Sequence, residues 1–141
     1  MVPEGWKDVR LGDLMEFKNG LNTEKENYGR GTKFVNVMDI FRNDRLHEND
    51  VMGSVQVNDK QLTEYSVRYG DVLFNRTSET YDEIAMSSVY LDHKPITFGG
   101  FVIRGRPKSN DLFPDYSVFC FQSWQVRKEL INKPSLFLRR F

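Results

Sequence analysis

The sequence predicts an α+β fold: a single domain with a mixed, strongly bent β-sheet, long polar loops and a C-terminal helix. Three observations carry this. Short runs of β-branched and aromatic residues, such as "KFV", "VLF" and "FVI", read as strands. Long polar stretches at 18–32 and 42–54 read as loops by their turn chemistry. A helical pattern comes late, over 113–131, with Pro114 in its first turn.

Taken in order, "GWKDVRLGDLMEF" opens the domain as a short strand or helical turn. Trp6, Val9, Leu11, Leu14 and Phe17 pack inward. "KNGLNTEKENYGRGT" (18–32) holds Gly20, Gly29 and Gly31 and is a loop. "KFVNVMDIF" (33–41) alternates, with Phe34, Asn36 and Met38 on one side and Val35, Val37 and Asp39 on the other, which predicts a strand. The segment from "VQV" through Tyr65 holds a short strand and a turn. "RYGDVLFNRT" is a strand behind a Gly70-Asp71 turn, and "EIAMSSVYL" (83–91) is another. In "ITFGGFVIRGRP" (96–107), Gly99-Gly100 marks a bulge, a tight turn or a close approach of backbone. In the helix, Arg127 and Lys128 sit toward the C-terminal end, where the helix dipole favours cations, and Pro134 stops it.

Length and composition bound the function. A chain of 141 residues is one domain, 1–141, and buries a real core. With 39% hydrophobic and 13% aromatic residues it is globular rather than disordered. No run approaches a membrane span, the N-terminus has no apolar signal region, and the one cysteine forms no internal disulfide. These features point to the cytoplasm. Twenty basic residues balance twenty acidic ones, which argues against an indiscriminate nucleic-acid coat. The balance is uneven: residues 101–141 carry 8 Lys/Arg against 3 Asp/Glu. A basic face is compatible with a neutral total, and so is a tail that happens to be rich in Lys and Arg.

Catalytic constellations are weak. His47 and His93 sit in polar connections without metal-ligand spacing and read as surface residues. Cys120, between Phe119 and Phe121, reads as a core thiol. "GRG" at 29–31 lacks the Lys-Ser/Thr sequel of a phosphate loop. No metal, cofactor or enzymatic role is expected.

The polar segments instead suit recognition. A DNA reader uses Arg for guanine, Asn or Gln for adenine and Ser or Thr for either, with Lys on phosphate. Loops leaving a rigid sheet are where such groups are held. The candidates are Lys18, Asn19, Asn22 and Thr23, then Lys33, Asn36 and Asp39 on the strand after them. Asn75, Arg76, Thr77 and Ser78 follow the "VLF" strand, and Arg104 and Arg106 come later. Taken singly, each also reads as an ordinary solvated or capping residue.

Five segments in order resemble a known family. They are "GWKDVRLGDLMEFKNGLNT", with Trp6 ahead of Leu11-Gly12-Asp13 and then Gly20; "YGRGTKFVNVMDI" (28–40); "YGDVLFNRTSE" (69–79); "TFGGFVIRGRP" (97–107); and the helix at 114–132. Together they resemble a target recognition domain of the specificity (S) subunit of type I restriction-modification systems. The resemblance implies a non-catalytic reader of one half of a split double-stranded DNA target. It implies modification (methyltransferase) and restriction subunits as partners, with S-adenosylmethionine bound by the modification subunit. A full S subunit continues into a long spacer helix and a second recognition domain. The chain ends at "NKPSLFLRRF" without them, so an excised domain, a truncated product or a half-subunit is expected. The competing expectation is an S-subunit fragment that acts mainly as a protein-interaction module with the modification subunit. Within the resemblance, "NRTSET" (75–80) is expected to face DNA, with pairing of Arg76 to Asp82 or Glu83 as the alternative.

Overall fold

The structure is a computed structural model and describes residues 11–76, 86–110, 112–123 and 126. The expected mixed pairing is present, divided between two sheets. The five-stranded sheet contains β1 (Met15–Asn19), β8 (Val102–Pro107), β5 (Val72–Asn75), β6 (Ser87–Tyr90) and β3 (Arg45–Leu46), in that order across it. The three-stranded sheet has the order β4 (Gly53–Val55), β2 (Tyr28–Val35), β7 (Thr97–Phe98). The described residues also hold four α-helices, α1 (Leu11–Leu14), α2 (Val37–Arg42), α3 (Asp59–Glu64) and α4 (Pro114–Gln122), and two short 3-10 turns.

β5 is the centre of the fold, and its continuous "VLF" run has a simple cause. All four of its residues are buried, so the strand is covered on both faces. Successive side chains alternate between those faces. Val72 and Phe74 meet Met15, Val89 and Ile103, with Val118 and Phe121 of α4 above them. Phe121 packs edge-on to Phe74, with ring centroids 5.3 Å apart. Leu73 faces the other way, toward Val35, Ile40, Tyr90, Ile96 and Phe98. α4 thus lids one side of the large sheet, and α2 with the small sheet lids the other. The turn into β5 is as expected. Gly70 has φ +90°, and the Asp71 carboxylate accepts the Arg68 N–H at 2.7 Å.

Several element assignments need correction. The predicted 33–41 strand stops at Val35, and the chain turns into α2. Alternation over so few residues is outweighed by local capping. The Asp39 carboxylate accepts the Asn36 N–H at 2.9 Å and the Met52 N–H at 3.4 Å, which anchors the first turn. The loop at 18–32 is shorter than predicted, because Lys18 and Asn19 end β1 and Tyr28 already opens β2. Gly29 and Gly31, with φ near +98°, lie where the β2–β4 register shifts, so two of the glycines that read as loop punctuation shape a bulge.

The segment before Tyr65 holds a helix that the turn reading missed. Asn58 Oδ1 accepts the Gln61 N–H at 2.8 Å and Gln61 Oε1 accepts the Asn58 N–H at 3.0 Å, a reciprocal cap on α3. Asn58→Ala is expected to cost about 1 kcal/mol, read as a lower urea midpoint with unchanged slope. An unchanged midpoint would mean that α3 is held by its tertiary contacts alone.

Candidate nucleic-acid interface

The two sheets are joined at a corner. The chain leaves β7, makes a tight turn through Gly99, Gly100 and Phe101, and enters β8; the Val102 N–H closes the turn on the Gly99 carbonyl at 3.0 Å. The chain after β1 crosses the same point. The Leu21 N–H bonds the Phe98 carbonyl at 2.9 Å. Gly20 lies so close that a Cβ there would sit 1.8 Å from the Gly99 carbonyl oxygen. A Cβ on Gly99 would meet the Phe34 ring, and one on Gly100 would meet the Asn22 amide. The glycine pair therefore serves as both a turn and a close backbone approach.

The end of β5 braces this corner. The Arg76 N–H donates to the Phe101 carbonyl at 3.0 Å and its guanidinium Nη1 donates to the Gly100 carbonyl at 3.1 Å. Beside the turn is a cleft of about 470 Å³. Asn22, Asn36 and Ser54 supply its polar wall, and Tyr28, Met52 and Phe101 its apolar rim. Phe101 is 66% exposed and Met52 75% exposed, so two large apolar side chains meet solvent beside the same cleft.

The predicted site residues divide by location. Asn22, Asn36 and Arg76 come together at the corner. Thr77 and Ser78 lie outside the described residues, as do Asp82 and Glu83, the expected alternative partners of Arg76. Thr23 accepts a hydrogen bond from Asn27 Nδ2 at 2.9 Å, and Asn19 pairs with Ile103 at the end of β1. Lys33 donates to the Val51 carbonyl at 2.8 Å. Asn75 is fully buried in β5, and its N–H bonds the Met86 carbonyl at 2.8 Å. Asp39 is buried, which holds its carboxyl above the usual range against the lowering effect of the two N–H donors.

Arg104 and Arg106 are both engaged with groups of the protein itself. Arg104 is only 7% exposed; its Nη1 donates to the Ser66 carbonyl at 2.6 Å and its guanidinium lies 5.4 Å from the Phe98 ring centre. Burial pulls its pKa down to about 10, which leaves it charged at neutral pH. Arg106 grips Asp71 with both arms, at 3.0 and 2.8 Å, and also reaches the Ser66 carbonyl. Lys18 pairs with Glu64 at 3.4 Å and lies over the Tyr65 ring. Cations that looked free in the sequence are thus held by residues distant in the chain.

The apolar rim was missed. A signal for it existed: a glycine pair followed directly by Phe101, in a segment already marked for close backbone approach. His47 is exposed and His93 stacks on Tyr69 at 4.8 Å. Cys120 is half-buried against the core, which raises its thiol pKa. Among the described residues no cluster of three or more His, Cys, Asp or Glu side chains has metal-binding geometry, and no helix is long and apolar enough to cross a membrane.

The fold, a small two-sheet α+β unit, is shared with subunits of type I restriction-modification systems. The chain is similar to a subunit in a structure describing complex assembly and conformational transition of the type I R-M system, with 19% identity and a TM-score of 0.60 over 91% of this chain. It is also similar to the HsdS subunit from Thermoanaerobacter tengcongensis, with 18% identity and a TM-score of 0.60 over 94% of this chain. In each case it spans 30% of the longer chain. At these identities the likeness is one of fold. No protein-family profile and no curated protein matches the sequence.

Proposed function

We propose that this chain is a target recognition domain that reads one half of a bipartite double-stranded DNA target for a type I restriction-modification complex, without catalysis of its own. The observation that carries this is the fold likeness to HsdS over nine-tenths of the chain. The corner agrees with it: Asn22, Asn36 and Arg76 are side chains of the types that address base edges, with Asn36 and Arg76 directly following β2 and β5 and Asn22 following the Leu21–Gly99 bridge. In this reading the modification and restriction subunits supply methylation and cleavage, and this domain supplies sequence.

The test is selection from a pool of randomised duplexes at low salt, followed by sequencing. A half-site reader enriches a few adjacent base pairs, and its binding weakens steeply with added salt. A folded chain that enriches nothing does not read DNA alone. Arg76→Ala is expected to weaken binding to the selected duplex at least about fivefold. Its cost in stability should be at least about 1.5 kcal/mol, the lower value for a charge-assisted bond such as the one to the Gly100 carbonyl. Anisotropy titration and urea unfolding separate the two. A large loss of stability with unchanged affinity of the folded protein would make Arg76 a brace only.

A second reading has one specific observation behind it. On α4, Phe113 at its N-cap, Tyr116 and Phe119 recur every third residue and are 70%, 53% and 68% exposed. Such a stripe suits a protein contact. An interaction module for the modification subunit would bind DNA only with that partner present.

A further inference from the structure

We propose that Phe101 is a specificity-determining residue that packs against the C5 methyl group of a thymine in the major groove. The inference rests on the DNA-reading role proposed above and deepens it.

Phe101 lies in the turn between β7 and β8 and is two-thirds exposed among the described residues. An exposed aromatic on a floppy tip means little. This one stands on a backbone fixed from three sides. Arg76 donates to the carbonyls of both Phe101 and Gly100, Val102 closes the turn, and Gly20 packs against Gly99. A fixed backbone presents the ring at small entropic cost on binding.

The chemistry around the ring selects the ligand. Duplex DNA presents one apolar group in the major groove, the thymine methyl, and Phe is among the side chains that contact it. The adenine opposite presents an acceptor at N7 and a donor at N6, which an asparagine amide matches. Asn22 and Asn36, both exposed, line the same cleft as Phe101. An amide beside an apolar surface is complementary to an A·T pair, and among the described residues the side chains that line the cleft are uncharged, the Arg76 guanidinium being turned onto the Gly100 carbonyl. Met52, on the same rim, extends the apolar surface.

The experiment uses the full chain and the duplex it selects. Each thymine is replaced in turn by deoxyuridine, which removes only the methyl group. Binding is measured for the wild type, Phe101→Leu and Phe101→Ala, with thermal melting as a check on folding. One thymine-to-uracil change should weaken wild-type binding about fourfold, the transfer value of one buried methyl-sized group. Phe101→Ala should be indifferent to that change, and Phe101→Leu should retain part of the sensitivity.

A folded wild type that selects no motif shows that the chain does not read DNA alone, and the methyl contact proposed for it falls with that role. A selected motif whose thymines all tolerate uracil overturns only the methyl contact. Loss of affinity in Phe101→Ala with equal uracil tolerance in both proteins also overturns it, and would assign the ring to wedging between bases instead.

Discussion

Replacing Arg106 with alanine is expected to destabilise the domain by about 3 kcal/mol, the lower end of the cost of breaking a buried ion pair from one side. The Asp71 carboxylate is almost wholly buried, with 2% side-chain exposure, and Arg106 meets it with two bonds. Without Arg106, one Arg68 N–H remains on that carboxylate. The Ser66 carbonyl loses a donor as well, though Arg104 still reaches it. For a domain of this size the change corresponds to a melting temperature lower by roughly 10 °C. Asp71→Asn in the Arg106→Ala background should recover part of the loss, because the cost is largely that of a stranded charge. A melting temperature within a degree or two of wild type would show that solvent already compensates Asp71. It would also return Arg106 to the candidates for DNA contact.

Gly20→Ala is expected to be comparably severe and to act on the interface as well. Its Cβ would overlap the Gly99 carbonyl oxygen and carbon, at 1.8 and 2.2 Å, and both are backbone atoms that cannot swing aside. The strands must separate, at about 3 kcal/mol, the upper end for overpacking. Separation breaks the Leu21–Phe98 hydrogen bond and carries Asn22 away from Gly100. Affinity for duplex DNA should therefore fall further than the folded fraction does. Gly12→Ala is the control: nothing lies within 4 Å of its added Cβ, and its effect should stay within about 0.5 kcal/mol. Equal melting curves for the two variants would refute the close approach.

Much of the fold was legible in the residues. "VLF" behind Gly-Asp reads as a buried strand because burial on both faces needs an unbroken apolar run, and that is what β5 is. Pro114 marks the start of α4, and Gly99-Gly100 marks the corner. α2 and α3 were misread because each is only six residues long, too short for a helical period to outweigh alternation or polarity. Their signals were the spacings Asn36-x-x-Asp39 and Asn58-x-x-Gln61, which are local and could have been read.

The interface was less legible. Of the three arginines proposed to contact DNA, only Arg76 lies at the corner, and Arg104 and Arg106 are engaged inside the protein. Arg104 is 38 residues from Ser66 and Arg106 is 35 from Asp71. Nothing local distinguishes a cation that will find such a partner from one that will face solvent. Phe101 was read as part of the "FVI" strand, but β8 begins at Val102 and the turn before it leaves Phe101 exposed.

By itself, the sequence determined the α+β class, the central strand, the late helix and the positions where glycine lets backbones touch. Those depend on local periodicity and on steric rules that act within a few residues. Tertiary structure alone decided that there are two sheets rather than one, which arginines are committed to Asp71 and Ser66, and that Asn22, Asn36, Arg76 and Phe101 share one corner. These are long-range pairings, and a side chain's role in them is set by whichever distant group folding brings within about 3 Å of it.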